Sequence, residues 1–323
     1  MRFSLIITAY NAQSTLAACL EAVFSSDIKD FEAILIDDGS SDKTAEIVKG
    51  FPCRVISLGK NSGTAFSRNT GKDNAKGAIL VFIDADVVIK KDTLKVIGES
   101  FRQGGDIVAV TGLLTRDCPG SNFFSQYKNL YMHYIFRRCP RFVDFLYGSA
   151  IAVRRDGFLP FNTEFKFTDD TELGQRYKRL NKKILLNQDL EVTHLKVYDL
   201  KGILKNDFSV PFWWAKSFIL HKGYRDIFLK RRFSHARAGQ LTAIFSAYLL
   251  LFSLFIAWQR MNVMRLGLLI IFLALNYGFF KFLYKEKGAF FLLNSLVFTF
   301  FDSLVLGLGA VAGFCHFLAK GRK

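Results

Sequence analysis

The sequence predicts an α/β fold with a mostly parallel sheet flanked by helices, followed by a basic and apolar C-terminal part. Short apolar runs alternate with amphipathic helical patterns through the first half of the chain, as in βαβ units. Residues 79–83 (ILVFI) are the clearest run and predict a strand buried on both faces. The formal net charge of +16 comes mainly from residues 201–323, which hold 17 Lys and Arg against 4 Asp and Glu.

The order of strands and helices follows from these patterns. Residues 3–9 (FSLIITA) predict the first strand, and Ser14 is a candidate cap for the helix after it. Further strands are predicted at residues 31–36, 55–58, 79–83, 106–111 and 146–153. Further helices are predicted at residues 44–49, from 61 onward, at 121–138 and from 169 onward.

Carboxylates stand where two of the predicted strands end. Asp84 and Asp86 follow the strand at residues 79–83, and Asp38 follows the second strand. Ligands of parallel sheets bind at the carboxyl ends of the strands. Carboxylate oxygens suit Mg²⁺ or Mn²⁺, which leave positions for substrate phosphates. The pattern therefore predicts a metal and nucleotide site, although a solvated turn rich in Asp is the simpler reading of the acids alone.

Several classes of protein are disfavoured by missing motifs. No GxGxxG follows the first strand and no GxxxxGK[ST] occurs, which argues against dinucleotide-binding dehydrogenases and P-loop ATPases. The five cysteines form no CxxC pair and no zinc spacing with histidine, so we expect reduced thiols. Nucleic acid is not expected as a partner, because the C-terminal cations are interleaved with Phe-rich apolar runs, which suits an anionic membrane surface.

At this point the chain resembles a known family, the family 2 inverting glycosyltransferases of the GT-A fold. The resemblance is carried by four segments in order: SLIITAYN at residues 4–11, ILIDDGSSD at 34–42, NSGTAFSRNTG at 61–71 and VFIDADVVI at 81–89. It implies a Rossmann-like nucleotide-diphospho-sugar transferase domain. It further implies donor binding by Thr8, Tyr10, Asp38, Arg68 and Asp84, and binding of Mg²⁺ or Mn²⁺ by Asp86.

The acid pair Asp169–Asp170 opens a predicted helix, where negative charge is favourable for structural reasons alone. In the family that the chain resembles, the second acid of such a pair is the catalytic base. The resemblance therefore implies Asp170 as general base with Asp169 in support, an in-line displacement and inversion at the sugar carbon. It also puts Gly148 and Ser149 near the acceptor. His194 is either a contact to the donor diphosphate or a core histidine.

The C-terminal part of the sequence predicts attachment to a membrane. Residues 201–237 mix aromatic side chains with Lys and Arg, which predicts interfacial helices. Either Trp213 or Trp214 is a candidate for stacking on an acceptor sugar, and Trp214 is the one we assign to the acceptor side. Two to three spans are predicted in residues 238–323, at about 238–258, 264–284 and 289–318. The remainder, residues 1–200, is the predicted catalytic domain.

These observations predict a multi-pass protein of a bacterial-type inner (plasma) membrane with its catalytic domain in the cytoplasm. The basic segment before the first span favours that orientation, and the apolar run at residues 3–9 is too short for a signal peptide. The predicted reaction moves one sugar from a nucleotide-sugar donor, best a UDP-sugar, to a membrane lipid or polyprenyl-linked saccharide. Such a reaction belongs to cell-envelope or surface-polysaccharide synthesis.

Two alternatives stay open from the sequence. A polyprenyl-phosphate sugar synthase can share the fold and the C-terminal spans, but such enzymes usually follow DAD with Leu-Gln and prolines, where this chain has Val87–Val88. A non-catalytic membrane scaffold could retain the fold, although every acid that the mechanism needs is present. A processive synthase is disfavoured because no QxxRW motif occurs.

Overall fold

A computed structural model describes residues 3–255 and 261–321, and the chain divides into two compact units. The first unit contains the chain up to Ser121 together with Ile135–Val197. The second contains Asn122–Tyr134 and the chain from Tyr198 onward. No disulfide joins any of the five cysteines, all of which lie within the described ranges.

The first unit is built on one nine-stranded sheet. Its strands are β1 Phe3–Ala9, β2 Phe31–Asp37, β3 Arg54–Ser57, β4 Ile79–Asp84, β5 Val87–Ile89, β6 Ile107–Leu114, β7 Phe142–Val143, β8 Ile151–Arg154 and β9 Lys183–His194. Its helices are α1 Leu16–Phe24, α2 Thr44–Ile47, α3 Thr64–Asn74, α4 Thr93–Arg102 and α6 Asp169–Arg179, while α5 Phe123–Arg137 has residues in both units.

The strand order is β3-β2-β1-β4-β8-β6-β9-β5, with β7 paired to β9. The first four strands are parallel, and β6 and β9 are parallel to each other. Strand β8 runs antiparallel between β4 and β6. The predicted α/β fold with a mostly parallel sheet and flanking helices is confirmed.

The register of the parallel strands brings their polar ends to one edge of the sheet. Thr8 is the partner of Asp84 across β1 and β4, and Ala9 is the partner of Asp37 across β1 and β2. Every residue of β4 before Asp84 is buried, as the unbroken apolar run predicts. A slip of one residue would take Asp84 out of line with Thr8 and turn each side chain of β4 to the opposite face.

Two local predictions were wrong. Ser14 does not cap α1: the residue before this helix is Thr15, and no side chain caps it. The strand predicted at residues 146–153 begins only at Ile151. The backbone amides of Tyr147 and Gly148 donate to the side chains of Thr111 and Asp170, at 2.9 and 2.8 Å, so they are not available to a strand ladder.

The second unit is mainly helical. Its further elements are α7 Leu200–Leu220, α8 Gly223–Lys230, the hairpin strands β10 Arg232–Phe233 and β11 Ala236–Arg237, α9 Ala238–Leu254 and α10 Met261–Ala319. The Asp199 side chain caps α7 by accepting a hydrogen bond from the Gly202 amide at 2.6 Å. The core of this unit is strongly aromatic and includes Tyr127, Phe272, Phe279, Phe280 and Phe298.

Within the described ranges one helix is long and apolar enough to cross a membrane, Asn262–Ala319, whose most apolar 18-residue stretch has a mean hydropathy of 2.0. Length and composition alone indicate membrane association here. The helix is interrupted at Gly288, whose φ of 79° is not helical. The predicted spans at residues 264–284 and 289–318 lie on either side of this glycine, and the predicted span at 238–258 corresponds to the shorter helix α9, with residues 256–258 outside the described ranges.

We expect Gly71→Ala to destabilise the first unit. A Cβ at this position of α3 would overlap the Cγ2 of Ile6, which is fully buried in β1. Such overpacking costs about 1–3 kcal/mol, which exceeds the gain in helix propensity. The measurement is the unfolding temperature of the purified full-length protein in detergent.

The matched control is Gly105→Ala, because a Cβ there meets nothing within 4 Å. Equal unfolding temperatures for the two variants would contradict the close packing of α3 on β1.

Candidate active site

The site forms at the sheet edge where β1 and β4 end. Asp84, the last residue of β4, accepts hydrogen bonds from Thr8 Oγ1 at 3.3 Å and from Arg68 Nη2 at 3.0 Å. The parallel register makes the first contact, and α3 supplies the second. The sequence-predicted residues Thr8, Arg68 and Asp84 are therefore brought together in the structure.

Arg68 links three parts of the first unit. Its Nη1 donates to Asp169 Oδ2 at 2.9 Å and its Nη2 donates to the Gly148 carbonyl at 3.3 Å, in addition to the bond with Asp84. The side chain is only 3% exposed, and its guanidinium lies 5.2 Å from the centre of the Phe161 ring. Burial lowers the pKa of Arg68, but Asp84 and Asp169 outweigh it and raise the pKa above its usual value.

Asp169 and Asp170 are the first residues of α6. Phe167, two residues earlier, has a φ of 64° and a side chain that is 62% exposed, an unusual conformation for a bulky residue. Asp170 accepts from the Gly148 amide at 2.8 Å and from the Thr171 amide at 2.6 Å. The turn at Phe167 and the first residues of α6 together direct the Asp170 carboxylate toward Gly148.

Both carboxyl groups have raised pKa values. Burial is the main cause for Asp169, against the lowering effect of Arg68. For Asp170, burial together with the charge of Asp169 raises the pKa to about 7. A carboxylate whose pKa lies near neutral pH is suited to accept a proton in a reaction.

Gly148 lies where a side chain would crowd the guanidinium of Arg68. A Cβ on it would lie 2.9 Å from Arg68 Nη2, 3.4 Å from Asp170 Oδ2 and 3.7 Å from Asp84 Oδ2. The glycine therefore lets three charged groups converge on one point of the backbone. Its neighbour Ser149 is buried. Gly148 and Ser149 thus lie beside the acids, as predicted, while their role toward an acceptor stays a prediction.

A second acid group lies beyond the end of β4. Asp86 Oδ2 is 3.2 Å from His194 Nε2, and the Asp86 carbonyl accepts from the Leu195 amide at 2.7 Å. The antiparallel pairing of β5 with β9, which sets Val87 opposite His194, brings the two side chains together. Burial raises the pKa of Asp86, but the hydrogen bond and charge of His194 and the charge of Lys196 hold it below its usual value.

The pair of Asp86 and His194 fits a divalent cation. A carboxylate oxygen and an imidazole nitrogen are both ligands of Mn²⁺-type ions, and both side chains are partly exposed. Within the described ranges no group of three or more His, Cys, Asp or Glu side chains is assembled, so these two side chains are the candidate ligands. Two protein ligands leave coordination positions for phosphate oxygens.

The residues that are predicted to bind the nucleobase of the donor lie around the end of β2. Asp38 is buried, and its two oxygens accept from the amides of Ser62 and Gly63 at 2.7 and 2.8 Å. Each carboxylate oxygen can accept a further bond. Tyr10 is 51% exposed, which leaves its ring open to a stacking partner. The roles of Asp38 and Tyr10 in donor binding stay predictions.

Trp214 belongs to the second unit, whereas the residues described above belong to the first. It is 8% exposed, and its ring packs at 5.0 Å from Phe218 and 5.1 Å from Phe233. This packing leaves little of its ring face for stacking on a sugar. Its assignment to the acceptor side stays a prediction.

Sequence reasoning missed two features of this site. Phe161 lies against Arg68, and its backbone is held by Asn69 through two hydrogen bonds of 2.8 Å. Nothing in the spacing of Phe161 indicates this contact, whereas Asn69 belongs to the NSGTAFSRNTG segment. The contact between His194 and Asp86 was also not predicted, since the two lie 108 positions apart in the sequence.

Part of the chain is similar to known glycosyltransferases of family 2. Residues 4–159 match the family model described as Glycosyl transferase family 2. The chain is 34% identical over 113 residues to a poly-β-1,6-N-acetyl-D-glucosamine synthase of Staphylococcus epidermidis, covering 34% of this chain and 27% of the relative. It is 26% identical over 126 residues to the glycosyltransferase GlyG of Streptococcus pneumoniae, covering 38% and 42%. The matches thus span less than half of each of these relatives.

Solved structures show the same fold. The mannosyltransferase PcManGT from Pyrobaculum calidifontis, solved with GDP-Man and Mn²⁺, aligns with a TM-score of 0.55 at 18% identity, over 70% of this chain and 64% of that chain. Residues 1–349 of TarS from Staphylococcus aureus align with a TM-score of 0.50 at 18% identity, over 98% and 92%. The fold of this chain is therefore GT-A-like.

We expect Arg68→Met to destabilise the protein strongly, because it leaves Asp169 buried beside no cation. Loss of one partner from a buried ion pair typically costs about 3–5 kcal/mol. Combining it with Asp169→Asn should cost less than the two single changes added together. The measurement is the unfolding temperature of the four proteins of this double-mutant cycle.

Arg54→Met is the control, because Arg54 bonds to Asn74 on the surface of the first unit and its loss should change stability by less than about 0.5 kcal/mol. A strictly additive cycle would contradict the coupling of Arg68 with Asp169.

Proposed function

We propose that this protein is a membrane-attached family 2 glycosyltransferase. It transfers one sugar, with inversion, from a nucleotide-sugar donor to a lipid or lipid-linked saccharide. The observation that carries the proposal is the convergence of Asp84, Arg68, Gly148 and Asp170 at the carboxyl edge of the sheet. This convergence supports the proposal, because a single displacement step needs a donor-binding group and a base of suitable pKa close together, and the pKa of Asp170 is raised to about 7.

Asp170 acts as the general base. An acceptor hydroxyl oxygen forms the new bond to the anomeric carbon, the bond from that carbon to the diphosphate oxygen breaks, and the hydroxyl proton passes to the Asp170 carboxylate. The electron pair of the broken bond leaves with the nucleoside diphosphate. Asp169 and Arg68 hold α6 and its first turn in position, so that the Asp170 oxygens keep their direction.

Asp86 and His194 would hold Mg²⁺ or Mn²⁺, which when bound neutralises charge on the departing diphosphate. The close approach of the carboxylate and the imidazole supports this assignment, since a cation can take the place of the proton between them. The Leu195 amide donates a hydrogen bond to the backbone carbonyl of Asp86 and so helps to orient this residue. Thr8, Tyr10, Asp38 and Asp84 would bind the nucleoside, for which we propose uridine.

The acceptor class is proposed from the relatives and from the second unit. One relative is named as a synthase of poly-β-1,6-N-acetyl-D-glucosamine, and others as a teichoic acid poly(glycerol phosphate) polymerase and a succinoglycan biosynthesis protein. We therefore propose a role in cell-envelope or surface-polysaccharide synthesis. The resemblance to a polymerizing synthase does not extend to a QxxRW motif, so transfer of one sugar is favoured.

Membrane attachment is supported by the surface of the second unit. Large apolar side chains are exposed along both C-terminal helices, and extended exposed apolar surface in a protein marks an interaction with a membrane or a partner. Examples are Phe245, Phe252, Ile270, Phe290 and Val311. We propose a catalytic region at residues 1–200 in the cytoplasm, an interfacial region at 201–237 and two to three spans of the inner membrane at 238–323.

We expect Asp86→Ala to abolish metal-dependent binding of UDP. Loss of this carboxylate removes one of two protein ligands, so the affinity should fall by at least the roughly 10–100-fold seen when supporting groups of metal sites are removed. The measurement is calorimetric titration of the detergent-purified protein with UDP, with and without Mn²⁺.

The control is Asp73→Ala, an exposed acid on α3 whose loss should leave UDP binding unchanged. Binding of another nucleotide in place of UDP would change only the proposed base. Failure of the folded wild-type protein to bind any nucleotide would favour the scaffold alternative.

We expect Asp170→Asn to retain UDP binding and to lower the transfer rate by about 10²–10⁴-fold, since the base is lost and the fold is kept. In the wild type the base must be ionised. Because its pKa is raised to about 7, the value of kcat/KM should fall as the pH drops below about 7 and level off above it. The measurement is UDP release from the donor with a membrane lipid extract as acceptor.

Asp156→Asn, at an exposed position of the same unit, should keep both the wild-type rate and the wild-type pH profile. An Asp170→Asn enzyme that turns over at the wild-type rate would exclude this residue as the base.

A further inference from the structure

Two acids and a lysine are buried together in the second unit. Asp207 on α7 is 1% exposed and Asp302 on α10 is 4% exposed. The Lys128 ammonium on α5 donates a hydrogen bond to Asp207 Oδ1, and Asn206 Nδ2 donates to the same oxygen at 2.8 Å. The proposed reaction uses none of these residues, because the candidate active site lies in the first unit.

Contacts among three helices bring the two acids together. The Asp302 side chain lies within hydrogen-bonding contact of the Asp207 side chain and faces the charge of Lys128. Tyr127, the residue before Lys128 on α5, forms a hydrogen bond of 2.9 Å between its hydroxyl and Thr299 Oγ1. Thr299 is one turn before Asp302 on α10 and therefore lies on the same side of this helix. The hydroxyl pair thus holds α10 against α5 beside the acids.

The backbones of α7 and α10 also approach closely next to Asp207. A Cβ on Gly309 would lie 2.2 Å from the carbonyl oxygen of Phe208, the residue after Asp207. A Cβ on Gly313 would lie 2.3 Å from the carbonyl oxygen of Phe212, one turn further along both helices. Only glycine permits such an approach. Asp207 therefore lies at a close interface with α10.

Each of the two acids has a buried oxygen without a hydrogen-bond donor. Among the residues that the structure describes, neither Asp207 Oδ2 nor Asp302 Oδ1 has a partner. Ionised carboxylates only accept hydrogen bonds, so neither acid can satisfy the other, and two like charges in contact disfavour ionisation of both. A proton on one carboxyl group turns that group into a donor. It therefore supplies the hydrogen bond that the pair lacks.

The charge balance of the cluster also requires one proton. Within the described ranges, the charged groups that face Asp302 are Asp207 and Lys128. Two carboxylates and one ammonium leave a net negative charge, and a buried charge without compensation is costly. The other titratable groups around the cluster are three phenols, Tyr127, Tyr131 and Tyr198. Phenols are neutral at neutral pH, and α9 contributes the uncharged Gln240, which donates to the Tyr131 hydroxyl at 3.0 Å.

The contacts of Asp207 indicate which acid holds the negative charge. Its Oδ1 accepts from Lys128 and Asn206, and a charged donor stabilises the ionised form of a carboxyl group. Burial lowers the pKa of Lys128, but its acidic neighbours, Asp207 foremost, raise it above the usual value, so the lysine stays protonated. The additional proton therefore resides mainly on Asp302, which can donate it to Asp207.

We propose that Asp207 and Asp302 share one proton, so that α5, α7 and α10 together form a buried proton-binding site in the second unit. With Lys128 the cluster is then electrically neutral. A neutral cluster suits an apolar helical unit attached to a membrane, where a charge without compensation is most costly. The site goes beyond the proposed function, because none of its residues takes part in the proposed reaction.

The bound proton makes the stability of the second unit depend on pH. In an unfolded chain an Asp carboxyl group has lost its proton above about pH 4, whereas the folded cluster keeps it. The folded state therefore binds one proton more than the unfolded state, and stability falls as the pH rises above about 4. One such proton changes the folding equilibrium constant by about tenfold per pH unit.

The test compares unfolding temperatures of the full-length protein in detergent from about pH 6 to about pH 9. Asp302→Asn is the main variant, because its amide is neutral, has the shape of the acid and can still donate to Asp207. Asp226→Asn is the control in the same unit, since Asp226 pairs at 3.5 Å with the exposed Lys230. The infrared C=O stretching band of a protonated carboxyl group is recorded at about pH 9, where Asp170, with its pKa of about 7, is ionised.

We expect the unfolding temperatures of the wild type and of Asp226→Asn to fall in parallel as the pH rises. The fall should be smaller in Asp302→Asn, by the contribution of one proton, and the infrared band of the wild type should be missing from this variant. Equal pH dependence and equal spectra for the wild type and Asp302→Asn would overturn the proposal. A wild type that is stabilised by NaCl but not by choline chloride, with no such effect in Asp302→Asn, would also overturn it, because a metal cation would then take the place of the proton.

Failure of the proposed function is read separately, by titration of every sample with UDP and Mn²⁺. A wild type that shows the proton but binds no nucleotide would refute the transferase and keep the proton site. Should Asp302→Asn fail to fold, Asp302→Ser supplies the same comparison, because its hydroxyl is neutral and can also donate to Asp207.

Discussion

The first unit depends on one buried cation. Arg68 is almost inaccessible to solvent, and its guanidinium is held by Asp84 at the end of β4, by Asp169 at the start of α6 and by the carbonyl of Gly148. Burial of a charge is costly unless it is paired and hydrogen-bonded, so these partners must be in position whenever the protein is folded. The arrangement joins Asp84, at the end of a parallel strand, to the acids of α6. One side chain thus links the residues proposed for donor binding to the proposed catalytic base.

The strand order of the sheet positions the groups that bind Arg68. Parallel pairing of β1 with β4 aligns Thr8 with Asp84, and every residue of β4 before Asp84 is buried. Strand β8 enters between β4 and β6 in the opposite direction, and the loop before it delivers Gly148 to the carboxyl edge. Strand β9 brings His194 to Asp86 from far along the chain. The polar site is therefore a product of strand order rather than of any one motif.

The sequence was sufficient for the elements whose signal is local. Four predicted elements are present: the buried strands at residues 3–9 and 79–83, the helix that begins at Asp169 and the aromatic helix after residue 121. They could be predicted because the spacing of apolar residues and the charge at a helix end are properties of a short stretch of sequence. The resemblance to a family of known fold also predicts that five site residues lie close together, namely Thr8, Arg68, Asp84, Gly148 and Asp170. Three features depend on tertiary contacts between residues that are far apart in the sequence. They are the pairing of Asp86 with His194, the contact of Phe161 with Arg68 and the start of β8 at Ile151 rather than at residue 146.

The turn at Phe167 determines the backbone just before the acids of α6. A bulky residue in the left-handed region costs about 1–3 kcal/mol, and such conformations persist only where the surrounding structure enforces them. That strain is accepted once, during folding, so the backbone two residues before Asp169 has its conformation set in the folded protein. The exposed ring of Phe167 therefore extends into solvent from a backbone position that the fold determines.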